Sequence, residues 1–159
     1  MATAIYPGSF DPITMGHLDI ISRSSTIFDK VIVAILNNSS KTHMFSLEER
    51  IYMLEKSCAH LKNIEIDFFD GLLVEYAKKR NVKVVVRGLR AVSDFEYEFT
   101  MALMNKKLAN DVETLYMMAA NEYEFVSSSI IKEVARLGGN IDSLAPSIVV
   151  KMMKDKLNS

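Results

Sequence analysis

The sequence predicts an α/β fold, a doubly wound five-stranded parallel sheet with helices on both faces. Two observations carry this. Apolar runs of four to six residues alternate with segments of helical period, the pattern that joins parallel strands through right-handed crossovers. One run, Val31 to Leu36, is apolar at every position, as a strand buried on both faces must be.

The elements follow in order. Ala2 to Tyr6 reads as the first strand, and Leu18, Ile21, Ser25 and Phe28 mark one face of the helix after it. Val31 to Leu36 is the second strand. Ser46-Leu-Glu-Glu49 is a capping box that opens a helix to about Ala59, with Ile51 and Leu54 inside it. Ile64 to Phe69 is the third strand and Leu72 to Arg80 the third helix. Val82 to Val86 is the fourth strand. Ser93-Asp-Phe-Glu96 is a second capping box, opening a helix to about Leu108 whose Phe95, Phe99, Leu103 and Met104 form a large apolar side. Thr114 to Met118 is the fifth strand. Ser128 to Leu137 is helical and stops at Gly138-Gly139. Pro146 suits the first turn of a last helix reaching about Leu157. The architecture is Rossmann-like, and residues 1–159 read as one domain.

Composition bounds the function. The chain has 159 residues, with 19 Lys+Arg against 20 Asp+Glu. A net charge near zero gives no global field for gripping nucleic acid or an anionic membrane. No apolar run approaches the ~18 residues of a membrane span, and the N-terminus lacks the basic-then-apolar pattern of a secretory signal. The single cysteine, Cys58, cannot form an internal disulfide, which fits a reducing, cytoplasmic setting. Cys58, His43 and His60 lack metal-ligand spacing and read as structural or surface residues. The methionines, among them Met101, Met104, Met117 and Met118, read as core filler, some of it able to pack between subunits.

Ligands of such sheets bind beyond the carboxyl ends of the strands, so the residues after each strand are the candidates. After the first come Pro7-Gly-Ser-Phe-Asp-Pro-Ile-Thr-Met-Gly-His17. Pro7, Gly8, Asp11 and Pro12 turn the chain, and Thr14 and His17 share one side of an opening helix turn, where free N–H groups attract anions. Gly16 leaves room for a ring or phosphate. A plain turn with a capping histidine would look the same. After the second strand, Lys41 is a flexible point charge able to reach a phosphate or to remain solvated. After the third, Gly71 turns the chain, and Leu72 and Leu73 either line an apolar wall or begin a helix. After the fourth come Arg87-Gly-Leu-Arg90, two arginines suited to bidentate phosphate recognition. After the fifth, Ser127-Ser-Ser129 opens a helix as an anion site, as N-cap, or both. The chain has neither a P-loop nor a Gly-x-Gly-x-x-Gly pattern, which disfavours P-loop kinases and dinucleotide-binding dehydrogenases. His17, Lys41, Arg87, Arg90 and the serines are expected to converge and to hold a polyphosphate with a second anionic group.

With these residues laid out, the sequence resembles the bacterial phosphopantetheine adenylyltransferase family. The resemblance runs over nearly the whole chain. It rests on Tyr6 to His17, Met44-Phe-Ser-Leu-Glu-Glu-Arg50, Arg87 to Glu98, Val126-Ser-Ser-Ser129 and Lys132-Glu-Val-Ala135. The Thr-x-Gly-His element marks only the wider nucleotidyltransferase superfamily, whereas the Arg87–Glu98 stretch is more specific. Departures are mild: Thr14 for a superfamily histidine, Ser9 for threonine, Tyr123 for tryptophan and Val126 for isoleucine.

The resemblance implies transfer of the adenylyl group of ATP to 4′-phosphopantetheine, giving dephospho-coenzyme A and pyrophosphate. It implies His17, Lys41 and Arg90 as catalytic residues. It places Ser9, Phe10, His17, Gly88, Leu89, Arg90, Glu98, Tyr123, Glu124, Phe125, Val126, Ser127, Ser128 and Ser129 around ATP, and Ser9, Lys41, Leu73 and Arg87 on the pantetheine side. Mg2+ is expected with ATP, coenzyme A as a feedback ligand, and a homohexamer as the assembly. A sister nucleotidyltransferase using CTP or nicotinate mononucleotide, or a nucleotide-binding module without turnover, are the alternatives.

Overall fold

The computed structural model describes all 159 residues, apart from the side chains of Val92 and Ser93. Strands β1 (Thr3–Gly8), β2 (Lys30–Leu36), β3 (Ile64–Phe69), β4 (Val84–Leu89) and β5 (Glu113–Met118) form one parallel sheet in the order β3-β2-β1-β4-β5. Helices α1 (Met15–Ile27), α2 (Leu47–Cys58), α3 (Leu73–Lys79) and α4 (Val92–Leu108) join successive strands, and α5 (Ser128–Arg136) and α6 (Ser147–Leu157) complete the chain. The strand order reverses between β1 and β4, so the fold's switch point, where such sheets take ligands, lies between these two strands.

The registers show how the crevice opens. β1 pairs with β2 at six positions, and β4 with β5 at six, but β1 and β4 pair only at Ala4↔Val84 and Ile5↔Val85. Beyond these pairs the ladder stops while both strands continue.

Side-chain alternation along β1 and β2 builds two cores. Ala4, Tyr6, Val31, Val33 and Ile35 pack with Ile20, Ile21, Met53, Leu54, Ile131 and Val149. Ile5, Ile32, Ala34 and Val85 pack with Val74, Ala77 and Val112. Burial of this kind stabilises by about 1.5–3 kcal/mol per large apolar side chain. Among the described residues, α4 contributes no side chain to either core.

Several boundaries differ from the sequence reading. β1 continues through Pro7 to Gly8 instead of turning there. A proline is tolerated because its backbone faces β4 beyond the end of their ladder, and its carbonyl accepts from Arg87 Nη1 at 3.3 Å. β4 likewise runs to Leu89, not Val86, since Arg87, Gly88 and Leu89 pair with Tyr116, Met117 and Met118. Arg87 and Gly88 therefore stand on a strand, and only Arg90 follows it. Helix α4 begins at Val92 with Ala91 as N-cap and no side-chain cap. Ser93 thus lies within the first turn, and its side chain, on which the expected second capping box depended, is outside the described residues. On α1 the buried residues are Ile20, Ile21 and Ser24, with Leu18 and Phe28 packed at the edge of the core. Pro146 is the N-cap of α6 rather than part of its first turn. Met104 and Met118 are not core filler: both are more than half exposed, and Met101 lines the crevice.

Candidate active site

The crevice is a cleft of about 530 Å³ at the carboxyl ends of β1 and β4. It brings together residues from five separate strand ends: Ser9, Phe10 and His17; Lys41; Leu72 and Leu73; Arg87, Gly88 and Arg90; and Tyr123, Val126, Ser127 and Ser128. Glu98 also lines it. Of the expected nucleotide-side residues, Leu89, Glu124, Phe125 and Ser129 are not on its wall, and Phe125 is 62% exposed. Leu72 and Leu73 line the cleft and also begin α3, Leu72 as its N-cap.

The Thr14–His17 turn is a capping box with histidine in the place usually taken by glutamate. Thr14 Oγ1 accepts from the His17 backbone N–H at 3.2 Å, and His17 Nδ1 accepts from the Thr14 N–H at 3.1 Å. A nitrogen that accepts from a backbone amide carries no proton, so the neutral ring is assigned its hydrogen on Nε2. Burial, with the positive charges of Arg90 and Arg87, lowers the imidazole pKa to about 4. At neutral pH His17 is thus an uncharged donor of fixed tautomer.

Its setting is aromatic. The Phe10 ring meets His17 edge-on at 5.1 Å, and Tyr6 meets Phe10 at 5.6 Å. Phe10 has φ 47°, a conformation that costs about 1–3 kcal/mol for a residue other than glycine. Full burial of the ring, worth about 1.5–3 kcal/mol, offsets this. A Cβ on Gly8 would lie 3.1 Å from that ring and would push it by a few tenths of an ångström, so Gly8 serves this close approach rather than a turn.

Both arginines are mounted rather than free. Arg87 Nε and Nη2 donate to the two Glu98 oxygens at 3.1 and 2.5 Å. Burial opposes the Arg87 charge, but this bidentate carboxylate outweighs it and the net shift is upward. Glu98, with its side chain 10% exposed, is therefore placed first as the partner of Arg87. Tyr116 Oη donates to the Glu98 carbonyl at 2.7 Å and anchors this turn of α4 to β5. Arg90 donates through Nε to Asp94 at 3.2 Å and through Nη1 to the Val126 carbonyl at 2.9 Å. These bonds tie β4 to the segment before α5 and leave Arg90 Nη2 for a ligand. Lys41 makes no ion pair with any described residue.

The serines divide their work. Ser127 is the N-cap of α5, its Oγ accepting from Ile130 N–H at 3.2 Å. Ser128 Oγ donates to the Pro12 carbonyl at 2.7 Å, which holds the α5 N-terminus against the β1–α1 loop. Ser129 is exposed.

Two braces have roles that the sequence reading does not give them: there Asp11 is only a turn residue, and Arg50 only part of the stretch from Met44 to Arg50. Arg50 is 2% exposed and donates from Nη1 to the Ser9 carbonyl at 3.0 Å. Its signal was an arginine inside the apolar stripe Leu47, Leu54 of α2, which marks a buried, bonded charge. Asp11 is 4% exposed and accepts from the backbone N–H groups of Met44 and Phe45 and from Lys132 Nζ. All of its partners are distant in sequence, so no local pattern marks it. Tyr97, Asn105 and Tyr116 also line the cleft and were not foreseen.

Residues 5–134 match the family described as cytidylyltransferase-like, which gives the class that the sheet order and the cleft define. Over nearly its full length the chain is 53% identical to the phosphopantetheine adenylyltransferase of Caldanaerobacter subterraneus subsp. tengcongensis, covering 98% of each chain. It is 56% identical to that of Bdellovibrio bacteriovorus, covering 97% of this chain and 96% of the relative. The chain belongs to the phosphopantetheine adenylyltransferase family. A Vibrio parahaemolyticus structure provisionally assigned as a nicotinate-nucleotide adenylyltransferase has the same fold, with a TM-score of 0.71 at 17% identity over 99% of this chain and 95% of that one.

Proposed function

We propose that this single domain transfers the adenylyl group of ATP to 4′-phosphopantetheine, forming dephospho-coenzyme A and releasing pyrophosphate. The observation that carries the reading is the neutral, tautomer-fixed imidazole of His17 in one cleft with Lys41, Arg87 and Arg90. The nucleophile, a phosphate oxygen, is already ionised at neutral pH, so the reaction needs no strong base. That oxygen attacks the α-phosphorus of ATP, the bond to the β-phosphate oxygen breaks, and pyrophosphate leaves with the electron pair. Charge grows on the α-phosphoryl oxygens and the leaving group, so catalysis is positioning plus electrostatic stabilisation. His17 donates from Nε2 to an α-phosphate oxygen. Lys41 and Arg90 offset the growing charge, with Gly88 and Leu89 positioning Arg90.

Ser9, Lys41, Arg87 and Leu73 hold the phosphopantetheine, and the Arg87 N–H groups not used by Glu98 and Pro7 face its phosphate. Ser9, Phe10, Glu98 and the stretch Tyr123, Glu124, Phe125, Val126, Ser127, Ser128 and Ser129 surround ATP. Leu89, Glu124, Phe125 and Ser129 are not on the cleft wall but each adjoins in sequence a residue that is. Mg2+, bound as the counter-ion of ATP, would neutralise part of the triphosphate charge. The cleft carboxylates Glu98 and Asp94 are engaged by arginines, which favours a metal held by nucleotide oxygens and water.

Coenzyme A carries the pantetheine arm and the adenylate of the product and is expected to compete with phosphopantetheine. Exposed Phe95, Phe99, Leu103 and Met104 on α4 favour self-association, with a homohexamer the assembly the resemblance implies, and a lone buried cysteine, Cys58, favours a cytoplasmic setting.

The test is pyrophosphate release with ATP in the presence and absence of phosphopantetheine, run beside CTP and nicotinate mononucleotide. Release only with the ATP–phosphopantetheine pair is expected. Release with another pair reassigns the substrate, and ATP binding without release makes the chain a binding module.

A further inference from the structure

The Asp11 carboxylate lies behind the cleft, not on its wall. Oδ1 accepts from Phe45 N–H at 2.9 Å, and Oδ2 accepts from Met44 N–H at 2.9 Å and from Lys132 Nζ at 3.1 Å. One side chain thus joins the loop carrying Ser9 and Phe10, the loop carrying Lys41, and helix α5, which Ser127 caps. Burial works against its charge, but the two amides and Lys132 outweigh this and keep the carboxyl below its ordinary range.

The Lys41 loop is fixed at its other end too. Asn38 Oδ1 accepts from Ser40 N–H at 3.0 Å and from its hydroxyl at 2.6 Å, and Lys41 N–H donates to the Asn38 carbonyl at 3.1 Å. Asn37 N–H donates to the Phe69 carbonyl at 2.9 Å. Lys41 therefore sits between a closed turn and the Asp11 clamp, with only Thr42 and His43 between it and the clamped amides. A lysine on a four-carbon stem loses much side-chain entropy when it is held on a ligand, so fixing its backbone removes part of the cost of placing its charge.

We propose that Asp11 is a positioning residue for Lys41: by clamping Met44 and Phe45 it sets the reach of the ammonium group into the phosphopantetheine side of the cleft, beside Ser9. This rests on the reaction proposed above. It makes Asp11 a residue that acts through Lys41 and touches neither substrate.

A double-mutant cycle tests it. Asp11→Asn keeps the side chain's size but replaces one acceptor by a donor and removes the charge. It is expected to lower kcat/KM for phosphopantetheine about tenfold and to change KM for ATP less than threefold. Combined with Lys41→Ala, it should add less than a further twofold loss. Losses that multiply in the double variant would show that Asp11 does not act through Lys41 and would overturn the proposal. Should Asp11→Asn fail to fold, two glycines inserted between the exposed Thr42 and the half-buried His43 release Lys41 while leaving the clamp intact. That insertion is expected to reproduce the Lys41→Ala loss, and unchanged kinetics would overturn the proposal. Amide hydrogen exchange reads the clamp without reference to the reaction: Met44 and Phe45 should exchange slowly in the wild type and at least tenfold faster in Asp11→Asn. If the wild-type chain released no pyrophosphate, the reaction assignment would fall, while exchange at these two amides still decides the clamp.

Discussion

The His17 ring is uncharged at neutral pH because burial disfavours its charged form, and the positive charges of Arg90 and Arg87 add to this. Two consequences can be measured. His17→Ala is expected to keep the fold and to lower turnover by about 10²-fold or more, as loss of one preorganised donor does elsewhere; near-wild-type turnover would remove His17 from the chemistry. The ring also links stability to pH. Above pH 6.5 it is neutral in both the folded and unfolded chain and contributes nothing to the pH dependence. Between 6.5 and about 4 the unfolded chain binds a proton that the folded one refuses, so stability falls as pH falls through that window. Urea midpoints at pH 7 and pH 4.5 should therefore drop less in His17→Gln than in the wild type. His43, whose pKa burial and Arg50 also lower, is present in both proteins and cancels in the comparison. Arg90 is mounted on Asp94 and Val126; on the proposed assignment it serves ATP, and Arg90→Ala is expected to raise KM for ATP more than KM for phosphopantetheine. Titration calorimetry giving the reverse order would reassign it. The meeting of His17 and Arg90 in one cleft was legible because both lie beyond the carboxyl end of a parallel strand, His17 in the first turn of α1 and Arg90 directly after β4. The hold of Asp11 was not, because its bonds run to chain segments more than thirty residues away; Arg50 showed only as a charge inside the apolar stripe of α2, and its partner, the Ser9 carbonyl, is forty-one residues away.

Two helices begin with the same reciprocal device but use it differently. In α2, Ser46 Oγ accepts from Glu49 N–H and Glu49 Oε2 accepts from Ser46 N–H. In α1 the pair is Thr14 and His17. Replacing either hydroxyl with alanine should cost about 1 kcal/mol of stability. Thr14→Ala is expected to lower turnover in addition, since Thr14 Oγ1 also lies 3.2 Å from His17 Nδ1, whereas Ser46→Ala leaves kcat unchanged. Equal kinetics for the two variants would separate the cap from the chemistry. The end of α5 was equally readable in the sequence. Gly138 has φ +80° and donates to the Ala135 carbonyl, and Gly139 donates to the Val134 carbonyl, a Schellman closure. Helix ends of this kind are legible because their bonds span three to five residues. The ends of β1 and β4 were misread for the opposite reason: Pro7 and Gly88 are turn formers by local preference, and only pairing with β2 and β5 keeps them extended.

At the scale of the molecule, the sheet has two well-filled cores and one side left apolar. Phe95 and Phe99 stack at 5.8 Å on α4 yet are each 52% exposed, and Leu115 and Met118 on the neighbouring β5 are exposed as well. Phe95, Phe99 and Leu103, spaced four apart on one stripe of α4 and each more than half exposed, fit an association surface. Phe99→Lys with Leu103→Lys is expected to convert the proposed homohexamer to single chains in light scattering. A single-chain mass for the wild type would remove the hexamer while leaving the cleft untouched. The sequence by itself determined the α/β alternation, the parallel connections, most element limits and the identity of the residues at the strand ends, because hydrophobic period, caps and turn residues act over a few positions. Only the tertiary structure decided the strand order, the early parting of β1 from β4 that opens the cleft, the pairing of Arg87 with Glu98, and the three-way hold of Asp11. Each of these depends on which distant segments share space, and that is settled by how both faces of the sheet are covered at once.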